Sequence, residues 1–483
     1  MKLPILTHSD KHLYEQIADC LQSLIAEGTL QPGDRLPSVR KLHEQWSVSI
    51  STVLEAYRLL EDRGLISVRP QSGYYVKLKL TTAPSEPQQT MPQPNACSVD
   101  NSLAFRVICT IRDSQTIKLG AAVPSMELLP LAALNRIMGQ VLRQQPNMAH
   151  AYDVPPGCEP LRHEIARRLM HAGCSVSPKE IVTTNGTFEG VYLGLKAVTK
   201  PGDTVAIESP TYYGLLEVLE ILHLKALELP THPREGLSLP HLEAALYHKQ
   251  IAACALVSNF SNPLGSCMSD VKKQQLVELL TQHQVPLVED DVYGELHFQG
   301  SRPKALKSFD REGLVLHCSS FSKTLSPGLR VGWIVAGRYQ AKVEQLKWVI
   351  NQTTAIAPQL TIAAFLANGG YDRHLRQLRR AYQSQMTSMI QSICDYFPPE
   401  TRVTRPSGGH VLWVELPVGF DAMQLYETAL THHISIAPGQ IFSVSGGYQN
   451  CFRLNCGLLW SEQVDRAMRI LGTLIDQQMQ SQR

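Results

Sequence analysis

The sequence predicts an α/β chain in two unequal parts, a small helical unit followed by a large domain on a mostly parallel sheet. Three observations predict it. At 483 residues the chain is too long for one ordinary core. From about residue 117, helical patterns alternate with short apolar runs, among them "TVAIESP", "ACALVSNF", "VPLVEDD" and "LVLHCSSFS". That alternation is what helices laid on a parallel sheet require. Between the two parts lies "TTAPSEPQQTMPQPNACS", rich in Pro, Gln, Thr and Ser. Such a stretch buries too little apolar surface to fold alone and reads as a semi-extended linker. The expected divisions are 1–78, 79–116 and 117–483.

The N-terminal part comes first. "LYEQIADCLQSLIAEG" places Leu13, Ile17, Leu21, Leu24 and Ile25 at helical spacing, with Gly28 as a stop. "LPSVRKLHEQW" begins a second helix near Ser38, and "SVSISTVLEAYRLLEDRGL" a third, with Val53, Ala56, Tyr57 and Leu60 on its apolar face. "LISVRPQSGYYVKL" turns at Pro70 to Gly73 between two β-prone runs. Three helices and a hairpin wing make a winged helix-turn-helix. Net charge over the chain is only +2, so any basic surface must be local. It is: between residues 35 and 79, Arg35, Arg40, Lys41, Arg58, Arg63, Arg69, Lys77 and Lys79 outnumber Glu44, Glu55, Glu61 and Asp62, eight against four. Basic side chains and helix N-termini neutralise phosphates, and Ser49, Ser51 and Thr52 stand where such a motif enters the major groove. On pattern alone a docking module with a solvated basic face is the alternative.

The rest of the composition excludes other classes. Hydrophobic residues are 43% and charged residues 18%, as in ordinary soluble domains. No apolar run reaches membrane-spanning length. The 11 cysteines form no CxxC pair, and "MKLPILTHSDKH" is no signal peptide, so reduced thiols in the cytoplasm are expected. No Cys/His cluster has zinc spacing; His432 and His433 are adjacent and do not share a helix face.

The large domain carries one lysine in a distinctive setting, Lys323 in "CSSFSKTLSPGLRVGW". A lysine that forms a Schiff base needs a carbonyl partner and a setting that frees its amine. Pyridoxal 5'-phosphate (PLP) is the obvious partner, and it makes four demands. Its phosphate needs fixed donors: Ser320, Ser322 and Arg330 flank the lysine, and Gly186 and Thr187 open an apolar helix whose free N–H groups suit an anion. Its pyridine nitrogen needs a carboxylate, and Asp290 ends an apolar strand where open α/β sheets bind ligands. Its phenolic oxygen needs donors, for which Tyr293 and Asn262 are candidates. Its ring face needs an aromatic, and "ESPTYYG" offers Tyr212 or Tyr213. Each residue alone has a structural reading, as turn, cap or core. Together they meet all four demands, each after a predicted strand.

Two resemblances follow. "GTLQPGDRLPSVRKL…VSISTVLEAYRLLEDRGLI…SGYYV" resembles the GntR-type winged helix over residues 11–77. The resemblance implies DNA contacts from Arg40, Ser51, Thr52 and the wing-tip Gly73; Ile50 stands where that family often has arginine. "TTNGTFEG", "ESPTYYG", "SNPLG", "EDDVYGEL", "SSFSKTLSPGLRVGW" and "FRLNCG", in that order, resemble a fold-type I aminotransferase from about residue 117 to 475. This second resemblance implies Lys323 as the cofactor-linked lysine and Asp290 on the pyridine nitrogen. It implies Asn262 and Tyr293 on the phenolic oxygen, Tyr212 on the ring, and Ser320, Ser322 and Arg330 on the phosphate. It also implies Arg453 as the clamp for a substrate carboxylate, and Tyr152 as a residue reaching a neighbouring subunit's phosphate. Phe188 departs from the usual polar residue. A winged helix, linker and aminotransferase-like domain in one chain resemble the MocR branch of the GntR regulators. That implies a homodimeric, PLP-binding bacterial transcription factor on double-stranded operator DNA, sensing an amine, an amino acid or PLP itself. The alternative is an aminotransferase with an accessory DNA-binding domain.

Overall fold

The structure, a computed structural model, describes residues 12–27, 29–30, 34–69, 73–76, 84–99, 102–109 and 115–481. It divides into two compact units, Met1–Ala83 and Pro84–Arg483.

In the smaller unit the helices are α1 (Leu13–Ala26), α2 (Val39–Trp46) and α3 (Ile50–Asp62), followed by β1 (Ile66–Arg69) and β2 (Gly73–Val76). Serines start two of the helices. Ser38 Oγ accepts the Lys41 N–H at 3.2 Å, and Ser49 Oγ accepts the Thr52 N–H at 3.1 Å. Between them Ser47 turns the chain in the left-handed region, at φ 52°. Ile17, Leu21, Leu42, Val53, Tyr57 and Leu60 form a core that water does not reach. Tyr57 is tied at its polar tip too, donating to Pro37 O at 2.7 Å. β1 and β2 pair antiparallel as the wing, and residues 34–36 add an edge through Leu36 N–H to Tyr74 O (2.8 Å) and Val76 N–H to Asp34 O (2.9 Å). The predicted helix stop Gly28, the wing turn at 70–72 and the basic residues Lys77 and Lys79 lie outside the described residues.

The larger unit is built on a nine-stranded sheet. In chain order its strands are β3 (Cys97–Ser98), β4 (Ile181–Thr184), β5 (Thr204–Ser209), β6 (Lys225–His232), β7 (Gly236–Leu237), β8 (Ala253–Leu256), β9 (Leu287–Asp290), β10 (Val315–Ser320) and β11 (Gly332–Val335). They lie side by side as β3-β6-β5-β8-β9-β10-β11-β4, with β7 paired to β6. The pairs β6-β5, β5-β8, β8-β9 and β9-β10 are parallel, while β11 and β4 run antiparallel at one end. The central strands are buried almost throughout, as strands covered on both faces must be. All four apolar runs singled out in the sequence are parallel strands. A smaller antiparallel sheet holds β12 (Arg402–Val403), β13 (Val411–Glu415), β14 (Ala437–Pro438) and β15 (Cys451–Asn455), in the order β12-β13-β15-β14. Among the described residues no helix is long and apolar enough to cross a membrane.

The stretch expected to be a tether to residue 116 is a different object from Pro84 onward. The Val403 N–H donates to Ser85 O at 2.9 Å, Arg234 Nε reaches Glu86 at 2.6 Å, and Cys97–Ser98 pairs antiparallel with Lys225–Ala226 on β6. Residues Ser102–Cys109 are helical. An extended segment needs little apolar surface to dock when a sheet edge offers it main-chain partners, and composition does not reveal that edge.

The core of the smaller unit makes a direct prediction. Leu60→Ala removes a fully buried side chain and is expected to cost about 2–5 kcal/mol, read as a lowered urea midpoint for that unit.

Candidate functional site

The carboxyl ends of the parallel strands open into one cavity of about 210 Å³, and the segments after β5, β8, β9 and β10 line it. Open α/β sheets present ligands with main-chain groups and loop residues at this edge. Tyr212 follows β5, Asn262 follows β8, Asp290 ends β9, and Ser320 ends β10 with Ser322 and Lys323 just beyond. Thr187 and Arg330 complete the wall.

At the rim, Gly186 caps the helix α4 (Thr187–Val198) with φ +85°, a conformation that favours glycine. A Cβ there would collide with the Arg330 guanidinium. Arg330 Nη2 donates to Asn185 O at 2.8 Å and Nη1 reaches Ser322 Oγ at 3.4 Å. Thr187 Oγ1 donates to Ser320 Oγ at 2.9 Å. Three hydroxyls, a guanidinium and the N-terminal turn of α4 thus converge on one corner.

Deeper in, Lys323 Nζ donates to Ala122 O at 2.6 Å. Burial, then the nearby Arg453 charge, pushes its amine down to about 8, and Asp290 opposes that shift. The Asp290 carboxyl accepts the Val292 N–H at 3.1 Å. Burial pushes it up to about 7, with the Asp291 charge adding to the rise. Tyr293 Oη accepts from Asn262 Nδ2 at 3.4 Å, and Asn262 Oδ1 accepts from Arg453 Nη1 at 2.8 Å. Arg453 is wholly buried, its second Nη donates to Gly120 O, and its Nε has no partner among the described residues. The guanidinium lies over the rings of Phe442 (5.0 Å) and Tyr213 (5.7 Å).

The sequence pointed to Tyr212 or Tyr213 for the ring face; both line the cavity. Tyr152 does not: it is 82% exposed on the surface of the chain. Phe188 lines the mouth. Sequence reading missed the segment Gly120–Val123, whose carbonyls hold Lys323, Arg453 and the Asn455 side chain (Asn455 Nδ2 to Val123 O, 2.9 Å). Backbone acceptors carry no side-chain signature. Among the described residues no group of His, Cys, Asp and Glu is arranged to hold a metal.

In the smaller unit, Ser49, Ser51 and Thr52 cluster on the first turn of α3. Ser49 Oγ lies 2.8 Å from Ser51 Oγ and 2.7 Å from Thr52 Oγ1. Ser49 and Ser51 are exposed, as are Ile50 (45%), Arg40 and Arg35. Gly73, at φ +114°, begins β2 beside Arg35: a Cβ there would stand 3.3 Å from Arg35 Nε. These two predicted contact residues are neighbours on the wing.

Comparison with known proteins agrees with both halves. Residues 115–471 match the aminotransferase class I and II family, and residues 13–76 match the gntR family of bacterial regulatory proteins. The chain belongs to the aminotransferase class I and II family. With a GntR module ahead of that domain, it is a MocR-type regulator. It is 42% identical to the HTH-type transcriptional regulator YdcR of Escherichia coli K12, over 96% of this chain and 99% of that one. It is 38% identical to YjiR of the same organism, over 97% and 99%. The aminotransferase-class domain superposes on the α-aminoadipate aminotransferase LysN of Thermus thermophilus, solved with N-(5'-phosphopyridoxyl)-L-leucine. The TM-score is 0.73 and the identity 28%, over 79% of this chain and 96% of that one. PLP is the cofactor on which this family depends, and the GntR module is a DNA-binding one.

The Asp290 environment predicts a pH dependence. Its carboxyl stays protonated in the folded chain up to about 7 but ionises at ordinary carboxylate values when unfolded. Stability from this residue is therefore complete at low pH and is lost as pH rises towards about 7. Without added ligand, Asp290→Asn is expected to melt above wild type near neutral pH, with the gain shrinking to nothing below about pH 4, read by thermal scans across pH.

Proposed function

We propose that the larger unit seats PLP in the cavity around Lys323, and that the ligand state of that cavity sets how paired winged helices engage operator DNA. One observation carries the reading. A low-pKa lysine, a protonatable carboxyl and a buried arginine share a cavity whose rim is a polar corner at a helix N-terminus. The residues fit the cofactor. The corner that any Cβ on Gly186 would fill suits a phosphate, with donors from Thr187, Ser320, Ser322 and Arg330. Asp290, with a carboxyl that burial disfavours as an anion, gains a cationic partner in a protonated pyridine ring. Tyr293 and Asn262 would face the phenolic oxygen, and Tyr212 the ring.

When bound, PLP supplies an aldehyde carbon and an electron-accepting ring. The chain's own residues do the rest. Lys323, held near 8 rather than at an ordinary lysine value, has a useful fraction of free amine. Arg453, with its unpartnered Nε, suits a carboxylate on the effector, which favours an amino acid over a simple amine. An amino compound in the site competes with the Lys323 amine and takes up Arg453. It acts as a signal because it binds the two arrangements of the chain with different affinity. Tyr152, exposed on its own chain, would complete a phosphate site across a homodimer. Such a dimer presents two winged helices to two half-sites. The setting is the cytoplasm, where the DNA is.

A second reading, an aminotransferase with an accessory DNA-binding domain, is favoured by the Lys323 amine being poised to move protons. Steady-state turnover of about 1 per second or more with an amino acid panel would select it.

Two measurements test the regulator. Protein reconstituted with PLP is expected to show a visible absorbance band that Lys323→Ala abolishes; a band unchanged in the variant overturns the assignment. Binding to DNA from beside its own gene is expected to weaken steeply with salt. Arg40→Ala should reduce the slope of log affinity against log salt by about 1.

A further inference from the structure

The segment that opens the larger unit makes its densest contact at Thr90. The Thr90 N–H donates to Thr231 O at 3.2 Å, and the Thr231 N–H donates back to Thr90 Oγ1 at 2.9 Å. The same hydroxyl donates to Ser209 O at 2.5 Å. Ser209 is the last residue of β5, and three residues on stands Tyr212 in the cavity wall. The Ser209 hydroxyl in turn donates to Glu228 Oε1 (3.0 Å) and shares a hydrogen bond with Tyr448 Oη (2.8 Å). Glu228 accepts the N–H groups of Val444 and Ser445, at 3.2 and 3.3 Å. These residues follow Phe442, whose carbonyl accepts the Thr211 N–H at 2.9 Å and whose ring carries Arg453. One threonine from a Pro- and Gln-rich stretch therefore rests on a polar cluster that leads to the cavity twice, through Tyr212 and through Phe442.

We infer that Thr90 is a positioning residue of the cofactor cavity. By holding the Ser209 carbonyl it fixes the turn from Ser209 to Tyr212, and so the ring that faces the cofactor. The inference rests on the PLP reading above. Linkage makes the effect reciprocal: whatever affinity the docked segment lends to PLP, PLP returns as stability of docking. The segment follows the DNA-binding unit directly in the chain. Its docking thus sets how many residues are free between the units, and the cavity's contents adjust that number.

The test uses the full chain and PLP itself. In wild type, PLP is expected to slow amide exchange in residues 84–91. Thr90→Val, which keeps shape and loses the hydroxyl, is expected to bind PLP about fivefold more weakly, the equivalent of one net hydrogen bond. Exchange of its docked segment should be indifferent to PLP. Thr90→Ser keeps the hydroxyl and should restore both properties. A Thr90 that merely closes the sheet edge would lower the melting temperature of the valine variant yet leave PLP affinity as in wild type, and that result overturns the inference. So does wild-type exchange in 84–91 that ignores bound PLP, which decides the matter even if the valine variant does not fold. Wild type that binds no PLP fails the earlier reading instead, and is told apart by the absent absorbance band.

Discussion

Two cationic side chains share one cavity, and most of the site follows from keeping both there. Arg453 is wholly buried and Lys323 stands close enough to feel its charge. Asp290 is the one carboxyl among the described residues lining that space, and burial holds it largely protonated. The burden falls on neutral acceptors: Asn262 Oδ1 and the carbonyls of Gly120 and Ala122. Carbonyl dipoles satisfy a buried cation without committing a counter-charge. The cavity is thereby left with uncompensated positive potential, the condition for attracting an anionic ligand.

The same arrangement explains why the sheet is ordered as it is. Parallel strands end on one edge, so residues separated widely in sequence arrive together. The chain supplies Tyr212, Asn262, Asp290 and Ser320 each within a few residues of a strand end. The antiparallel pair β11 and β4 then brings Gly186 against the segment carrying Arg330. No long loop is needed to build the corner.

This edge is also why so much of the site was legible beforehand. An apolar run followed at once by a polar residue marks both the strand and the position at its end, as in "PLVED" before Asp290. The winged helix was equally plain, because Ser38 and Ser49 each precede an apolar-periodic run and serve as its cap. What escaped notice has a common cause. The carbonyls of Gly120 and Ala122 belong to every residue type alike. Thr90 meets Ser209 across 119 positions of sequence, and no local pattern predicts which sheet edge a polar strand will find. Ser49 shows a subtler limit: its hydroxyl was read for a groove contact, yet it is engaged with its own helix and its neighbours.

Anyone exchanging modules between such regulators must choose where to cut. Composition places the junction anywhere in the Pro- and Gln-rich stretch, and a splice near residue 110 would look harmless. The division between the compact units falls at Ala83 and Pro84 instead. A chimera joined downstream of it inherits a foreign segment on the edge of β6 and foreign packing beside β5. A chimera joined at the division keeps the ligand-binding half with the piece of chain it folds against. The boundary of the heritable unit is set by hydrogen bonds, and it lies upstream of where the amino-acid usage changes back.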